Sequence, residues 1–365
     1  MESCSARCSI WSSLDSAPSA SPNAPASAGH GRVWLGLLGM VVSLAFLYWA
    51  LRGVRPGEFF ADLESANIWL YLTSVLLATL TFPARAFRWR IILASGGSAV
   101  RWAPVWHATA IGFMATNLLP ARAGELARAY AASRFVPVPL PRSFGSIAVE
   151  RVFDGLIIVL LLTLAIATFH LGAAEVRGTS IATIAAWTGG LFIVLLGFLF
   201  FLVHAPREAL AWLAAVVRRT LPGRAAEFVV RITRSFIDGL TILRSPADFA
   251  RVVAWSFAVW LINAAAFYAA FMAFHLGPLP LTSPLLLQGI VAVGVAIPAS
   301  PGFIGVFEGT AVFALGLYGV ARTPAASMAL GTHIGWFIPI TAIGLWILAR
   351  TGLSLRDLTT RGAAL

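Results

Sequence analysis

The sequence predicts an all-α polytopic membrane protein with about six crossings plus two re-entrant helical pairs, or with eight or more full spans. Three observations lead to this fold class. The 365 residues are 59% hydrophobic and 11% charged, with a mean hydropathy of +0.85, a composition typical of membrane proteins. Apolar runs of roughly twenty residues, long enough to cross a bilayer, recur along the chain. Arginines gather between these runs, as the positive-inside rule describes.

The basic residues indicate membrane orientation. They number 26, all of them arginine, and give a net charge of +11. A basic balance can mean nucleic-acid binding, but arginines between apolar spans are better explained by anionic lipid headgroups and the positive-inside rule. We therefore expect no nucleic-acid partner.

The sequence gives no sign of a metal or cofactor. Its two cysteines, Cys4 and Cys8, lie near the N-terminus, so the body of the chain has no disulfide framework and no thiolate metal site. P-loop, H-E-x-x-H, G-x-S-x-G and dinucleotide fingerprints are missing. Without an ATP-binding motif, any transport is expected to be downhill, ion-coupled or scrambling.

Composition divides the chain into a membrane domain between two tails. Residues 1–31 are rich in Ser, Ala and Pro and predict a disordered N-terminal tail. Residues 32–350 predict the membrane domain, in which 205–251 form two cytoplasmic amphipathic helices. Residues 351–365 predict a cytoplasmic tail, and both termini are expected inside.

Six segments are predicted to cross the bilayer. They are residues 33–51, 68–83, 146–169, 181–203, 252–274 and 325–349. The second span is predicted to end at Pro83, where an arginine cluster marks the cytoplasmic side. The connection at 52–67 is slightly acidic and is expected to face outward.

Two further apolar segments, 102–134 and 285–320, predict the re-entrant pairs. The first pair has its tip at 118–123 and its return limb at 124–134. Pro120 to Gly124 and Pro298 to Gly302 share the pattern P-A-x-x-G. Pairs that enter from opposite faces indicate an inverted repeat with a site near the midplane, although full crossings at both places remain an alternative.

The second tip contains an isolated acidic residue. Glu308 is the one formally charged residue between 252 and 321, and a carboxylate in hydrocarbon costs about 2.5–3.5 kcal/mol even on lenient scales. Upstream of it stand two prolines and two glycines that resist a regular helix: Pro298, Pro301, Gly302 and Gly305. We expect a broken helix at a cavity. Glu308 would be either a counter-charge or a proton-coupling carboxylate, with His333 as a possible partner.

Arginines near the first pair are candidate phosphate ligands. Arg85 and Arg88 are one turn apart, while Arg122, Glu125 and Arg128 are spaced i, i+3 and i+6. Guanidinium groups bind phosphate well. The alternatives are a positive-inside anchor for the first group and an interfacial helix with snorkelling charges for the second.

Acidic residues follow in the next span. Glu150 and Asp154 are spaced i, i+4 and share a helix face, with Arg151 about a hundred degrees away. We favour pairing of these two acids with arginines across the bundle, namely Arg122, Arg128 or Arg85. Substrate contact and catalysis are the less favoured roles.

Four motifs together resemble one family. They are 83–90 (PARAFRWR), 117–128 (NLLPARAGELAR), 149–156 (VERVFDGL) and 297–308 (IPASPGFIGVFE). In this order and spacing the chain resembles the lysylphosphatidylglycerol synthase transmembrane-region family, the flippase-like domain of the multiple peptide resistance factor, over about residues 33–350. The resemblance implies an inner-membrane protein that moves a lipid or lipid-linked headgroup between leaflets.

The family's full-length synthases carry a soluble aminoacyl-transfer domain that these 365 residues lack. We therefore expect a stand-alone membrane module that does not charge lipids with amino acids, so the lysyl lipid should not be assumed as substrate. The expected partner is a membrane lipid, either a phospholipid or a polyprenyl-linked lipid, with a separate lipid-modifying enzyme as a possible second partner.

The function expected is a flippase-type transporter that is not itself an enzyme. One alternative is a membrane-embedded transferase or phosphatase acting on a lipid-linked phosphate; another is a non-transporting partner of a separate lipid synthase or glycosyltransferase. The predicted substrate-binding residues are Arg85, Arg88, Asn117, Arg122, Glu125, Arg128, Glu150, Arg151, Asp154, Pro298, Pro301, Gly302, Gly305 and Glu308.

Overall fold

The computed structural model describes most of the predicted membrane domain. The described residues are 28–94, 100–119, 123–168, 206–220, 245–296 and 299–355, with isolated residues and short stretches between 175 and 233, and Leu358. The predicted span at 181–203 and the second amphipathic helix of 205–251 lie largely outside them. Arg122 and Pro298 also lie outside the described residues.

The described residues are helical almost throughout. The helices are α1 (Ala28–Leu51), α2 (Pro56–Ser65), α3 (Ile68–Ala94), α4 (Trp102–Leu118), α5 (Ala123–Phe135), α6 (Leu140–Thr168), α7 (Pro206–Thr220), α8 (Pro246–Ala273), α9 (Ser283–Gly294), α10 (Val306–Gly316) and α11 (Arg322–Thr351). A 3₁₀ turn lies at Pro301–Phe303. Strands β1 (Glu175–Val176) and β2 (Thr179–Ser180) form a short antiparallel hairpin that the sequence did not predict.

Three described helices, α3, α8 and α11, are long and apolar enough to cross a membrane. A fourth span results if Leu37–Leu51 of α1 and α2 count together, although they meet at 86°. α9 and the segment Pro301–Gly316 are shorter apolar helices. The class is therefore a helical membrane protein, as predicted.

α1 and α2 differ from the predicted boundaries. α1 begins at Ala28, inside the segment predicted as a tail. The connection predicted at 52–67 contains α2, which starts at Pro56, a position where the missing N–H of proline costs nothing. The Asn67 side chain then accepts hydrogen bonds from the amides of Trp69 and Leu70 and so stabilises the start of α3.

The predicted end of the second span at Pro83 is wrong. α3 continues through Pro83 to Ala94. A proline inside a helix removes one hydrogen bond, but α3 is held by neighbours on both sides of it, for example where Ser74 donates to the Ala266 carbonyl of α8. Because of this continuation, Arg85 and Arg88 lie within α3, on the C-terminal side of Pro83, in a helix long enough to cross a membrane.

α4 and α5 form the predicted antiparallel pair, with limits close to those expected. Their backbones approach closely at two glycines. A Cβ on Gly124 would overlap the Gly112 carbonyl and the Thr116 side chain, and a Cβ on Gly112 would overlap the Arg128 side chain. The contact between Gly112 and Arg128 thus restricts the direction in which the Arg128 side chain extends from α5.

The second predicted pair, α9 and α10, packs between α6 and α11. Gly289 of α9 lies against Leu162 of α6, and Gly294 lies against Thr310 of α10. One core of buried side chains joins α3, α4, α5 and α6 with the C-terminal half of α11. A second joins α8, α9 and α10 with the N-terminal half of α11. α11 therefore connects the two halves.

Candidate functional site

The first candidate site is a group of charged side chains contributed by α3, α5 and α6. We call it the arginine–carboxylate cluster, and its members are Arg85, Arg88, Glu125, Arg128, Glu150, Arg151 and Asp154. α6 begins at Leu140, so Glu150 and Asp154 lie well inside a continuous helix, one turn apart. Because α3 and α5 both pack on this face, their arginines meet the two carboxylates.

Arg88 is at the centre of the cluster. Its Nη1 donates to Asp154 Oδ1 at 2.7 Å and its Nη2 donates to Glu150 Oε1 at 2.9 Å. Its side chain is 0% exposed. A guanidinium can donate along two parallel directions, and here one guanidinium binds both acids of α6.

Two other arginines complete the pairing. Arg85 Nη1 donates to Asp154 Oδ2 at 2.9 Å, and Arg128 Nη2 lies 2.9 Å from Glu150 Oε2. Each carboxylate of α6 therefore faces at least two arginines. This is the cross-bundle ion pairing favoured from the sequence, extended to Arg88, which the sequence argument had not paired with these acids.

Glu125 and Arg151 form the outer edge of the cluster. Arg151 Nε lies 2.9 Å from Glu125 Oε1 and its Nη1 is 3.7 Å from Asp154 Oδ2. The Arg151 and Glu125 side chains are 46% and 32% exposed. Arg128 thus pairs with Glu150, whereas its neighbour in sequence Glu125 pairs with Arg151.

Aromatic and hydroxyl groups line the cluster. The Trp260 indole donates to Asp154 Oδ1 at 3.0 Å, and Ser256 accepts from Arg88 at 3.0 Å. The Arg128 guanidinium carbon lies 3.9 Å from the centre of the Trp89 ring, a favourable cation–π contact. Ser256, Trp260 and Trp89 were not predicted, because an apolar helix gives no sign of which hydroxyl or indole faces a charge on another helix.

Some donors of the cluster stay unused. Among the described residues, the Nε atoms of Arg88 and Arg128 are buried without a hydrogen-bond partner. Arg128 Nη2 and Glu150 Oε2 are close enough for an ion pair but also lack a hydrogen bond. Counted over the cluster, four arginines face three carboxylates. The cluster therefore carries one positive charge in excess and has guanidinium N–H groups available to an acceptor.

The second candidate site surrounds the break before α10. We call residues 299–305 the broken segment. Gly302 and Gly305 have φ values of +64° and +91°, which L side chains rarely adopt. A Cβ on Gly305 would also overlap the Ser43 carbonyl of α1. The predicted interruption by Pro301, Gly302 and Gly305 is therefore present in the structure.

Glu308 binds the broken segment and α11 together. Its Oε2 accepts from the Gly305 amide at 2.6 Å, and its Oε1 lies 2.6 Å from His333 Nδ1. The other ring nitrogen of His333 lies 2.9 Å from the Gly302 carbonyl oxygen. Glu308 thus has a partner in its own segment, the Gly305 amide, as well as the histidine suggested by the sequence.

The broken segment lies next to the end of α4. Asn117 Nδ2 donates to Thr341 Oγ1 of α11 at 2.8 Å, and a Cβ on Gly302 would lie 3.4 Å from the Asn117 carbonyl oxygen. The end of α4 and the broken segment therefore lie close together beside α11.

Twelve of the fourteen candidate residues are described, all but Arg122 and Pro298, and these twelve form two groups. The arginine–carboxylate cluster holds seven of them, and Asn117, Pro301, Gly302, Gly305 and Glu308 surround the break beside α11. In the part of the chain that the structure describes, no ion pair or hydrogen bond joins the two groups. The same part contains no group of three or more His, Cys, Asp or Glu side chains placed to hold a metal.

The fold and the buried charges define a helical membrane protein with polar sites in its interior. The chain belongs to the family described as the lysylphosphatidylglycerol synthase TM region, whose model matches residues 36–344. The resemblance read from the four motifs is thus confirmed.

Two relatives are similar to the chain over most of its length. Glycosyltransferase AglD of Haloferax volcanii is 29% identical over 321 residues, which are 80% of this chain and 50% of AglD. A UPF0104 membrane protein of Methanothermobacter thermautotrophicus is 22% identical over 334 residues, 88% of this chain and 97% of the relative. The chain spans about half the length of AglD and nearly all of the second relative.

Proposed function

We propose that the protein is an inner-membrane flippase-type transporter that moves an anionic, phosphate-bearing lipid headgroup between leaflets. The observation that carries this proposal is the arginine–carboxylate cluster, in which four guanidiniums face three carboxylates. Ionisable groups inside a membrane domain are costly and normally mark a substrate or ion pathway. A phosphate is a matching counter-charge because guanidiniums bind its oxygens in pairs.

Binding would begin at the exposed edge of the cluster. Arg151 is the most accessible of its four arginines and offers the first contact from the cytoplasmic side. The phosphate would then reach the unused Nε donors of Arg88 and Arg128, with Arg122 close by in sequence. In the absence of lipid, Glu150 and Asp154 neutralise most of the positive charge of the arginines. A phosphate would therefore take the place of these carboxylates as the partner of the arginines.

The broken segment and the end of α4 would line the rest of the path. Helix N-termini favour anions, and α10 begins directly after the break. The lipid tails would stay in the bilayer while the headgroup crosses, and rocking of one repeat against the other would open each side in turn. This mechanism includes the proposed topology of six crossings, two re-entrant pairs and two cytoplasmic termini.

The proposed substrate is a phospholipid or a polyprenyl-linked lipid. Membership of the family supports a membrane lipid, and the name of the relative, Glycosyltransferase AglD, supports a link to sugar transfer. A separately encoded lipid-modifying enzyme is the proposed second partner, because such an enzyme would make or use the headgroup that is moved.

A second candidate function is a membrane-embedded transferase or phosphatase. The glycosyltransferase among the relatives favours it, as does the presence of two adjacent carboxylates. However, Glu150 and Asp154 each bind two arginines, which holds both as ion-pair partners and leaves neither placed to exchange a proton with a substrate. Transport therefore explains their contacts better.

Translocation by the purified protein tests the proposal. Proteoliposomes would carry fluorescent phosphatidylglycerol, phosphatidylcholine or a polyprenyl phosphate, with a quencher added outside and mass spectrometry of the extracted lipid. We expect protein-dependent movement of an unaltered anionic lipid and at least a tenfold loss in Arg151→Ala. Arg251→Ala is the matched control, since Arg251 is exposed and pairs with Asp248 within α8.

Two results would contradict the proposal. A lipid of changed mass would make the protein an enzyme. Equal movement of anionic and neutral lipids, with no effect of Arg151→Ala, would remove the cluster from the mechanism.

A further inference from the structure

His333 is bound on both sides by oxygen atoms. Its Nδ1 lies 2.6 Å from Glu308 Oε1 and its Nε2 lies 2.9 Å from the Gly302 carbonyl oxygen. A carbonyl oxygen can only accept, so Nε2 must carry a hydrogen. That hydrogen uses the single proton of a neutral imidazole and leaves Nδ1 without one.

The contact with Glu308 therefore requires a second proton. A bare Nδ1 and an ionised carboxylate would be two acceptors at 2.6 Å and would repel each other. Glu308 Oε2 already accepts from the Gly305 amide, so the proton lies between Nδ1 and Oε1. The pair then exists either as imidazolium with carboxylate or as imidazole with carboxylic acid, and in both forms it is neutral.

In the part of the chain that the structure describes, no further ion pair reaches either member of the pair. Among the described residues, His333 is the ionisable side chain that forms an ion pair with Glu308. The titratable groups on the packed elements bind elsewhere: Tyr71 of α3 donates to the Gly331 carbonyl, and Asp62 of α2 accepts from Ser327. Arg322 binds the Trp49 carbonyl of α1. Tyr268 of α8 and Tyr318 after α10 are partly buried.

Loss of the proton would have a structural consequence. It would leave a net negative charge in an apolar segment, a state that costs several kcal/mol unless water or a cation reaches it. It would also turn the Glu308–His333 contact from attraction to repulsion. Since His333 holds the Gly302 carbonyl and Glu308 holds the Gly305 amide, separation of the two side chains would release the broken segment from α11.

We propose that Glu308 and His333 together form a proton-binding site, and that its proton is the coupling ion for lipid movement. The second half of this proposal rests on the function proposed above. In the proton-bound state the broken segment is closed onto α11. When the proton leaves Nδ1 for water, Glu308 becomes a carboxylate beside a neutral imidazole and the segment is free to open. His333 keeps 14% of its side chain exposed, so the pair is not fully enclosed by protein.

Proton binding is tested without lipid transport. Protein labelled with ¹⁵N-histidine in nanodiscs would be studied by solid-state NMR, with the six histidines resolved by the signals missing in His333→Gln. We expect the spectrum of His333 at pH 7.5 to be that of an imidazole with a hydrogen-bonded or protonated Nδ1, as the contact with Glu308 requires. A spectrum of free neutral imidazole at that pH, unchanged by Glu308→Gln, would overturn the proton site.

Coupling is tested in proteoliposomes that contain a pH-sensitive dye. We expect translocation of fluorescent phosphatidylglycerol to be at least threefold faster with a pH gradient than without one, and the lumen pH to change as lipid moves. Glu308→Gln mimics the proton-bound acid, because its amide donates to Nδ1 permanently. It should stay folded and lose both responses. His275→Gln, which alters a histidine bound at the Ser65 carbonyl, should behave as wild type.

The outcomes separate the two claims. Translocation that is equally fast with and without a gradient, with a constant lumen pH, would overturn coupling and leave the transporter intact. An absence of translocation under both conditions would remove the proposed function and coupling together. The NMR spectrum would still decide whether the pair binds a proton.

Discussion

Arg88 joins Asp154 and Glu150 through one guanidinium, so two acids that would repel each other on α6 are held by a single residue of α3. Arg85 and Arg128 add a second arginine to each acid. The cluster is thus a network in which every buried charge has a partner. Its contribution to the stability of the fold and the effect of its net charge on lipid binding can each be measured.

Removal of Arg88 should destabilise the fold strongly. Arg88→Leu leaves buried carboxylates with too few partners, and the loss of one member of a buried pair costs about 3–5 kcal/mol. The loss in free energy of unfolding would be measured by denaturation of the protein in mixed micelles. Arg251→Leu is the control, because an exposed ion pair contributes about 1 kcal/mol or less. Similar losses in both variants would show that the network does not hold α3 to α6.

Neutralisation of Glu150 should strengthen lipid binding and slow transport. In Glu150→Gln the four arginines of the cluster face two carboxylates, so the positive excess doubles. We expect phosphatidylglycerol to bind about tenfold more tightly, equivalent to about 1.4 kcal/mol, and to be released more slowly. Binding and translocation would be measured on the same preparation. Glu227→Gln removes an exposed acid paired with Arg218 and should change neither value. Weaker binding in Glu150→Gln would contradict a phosphate site at the cluster.

The left-handed glycine before α10 should tolerate no side chain. Gly305→Ala combines a φ of +91° with overlap at the Ser43 carbonyl, so the broken segment must shift. We expect translocation to fall at least tenfold while most of the protein still reaches the membrane. Gly57→Ala is the matched control, because a Cβ there meets nothing within 4 Å. Normal transport by Gly305→Ala would mean that the break does not move or bind anything in the cycle.

A cross-link between α1 and the broken segment should arrest the cycle. The Ser300 amide donates to the Ser43 hydroxyl at 2.8 Å, so cysteines at both positions lie close together. In a background with Cys4 and Cys8 replaced by serine, we expect Ser43→Cys/Ser300→Cys to lose translocation on oxidation and to regain it with reductant. The single variants should not respond. Full activity of the cross-linked protein would show that the segment stays fixed to α1 throughout transport.

Much of the fold could be predicted from local patterns in the sequence, because apolar spans, prolines and glycines determine where helices run and where they break. The α4–α5 limits and the break at Gly302 and Gly305 follow from hydrophobic runs and turn residues. α2 was missed because an acidic connection looked like a loop, although Pro56 after Arg55 signals a helix start. The end placed at Pro83 was wrong because packing against neighbouring helices outweighed the local cost of proline.

The candidate site was predicted by residue type more than by contact. Like charges at Glu150 and Asp154 predicted that arginines must lie near, which the structure bears out. The identity of each partner depends on how α3, α5 and α6 are rotated against one another. Spacing in the sequence carries no information on that rotation, so Trp260 and Ser256, more than a hundred residues from their partners, were missed.

Arg88 is synthesised well before Glu150, the acid with which it pairs. The two residues are 62 positions apart, and a ribosome adds about 5–20 residues per second. For several seconds the arginines of α3 exist without the acids of α6. The acids that neutralise the buried arginines of α3 are therefore supplied only when α6 has been made, so the pairing of the two helices must follow the synthesis of α6.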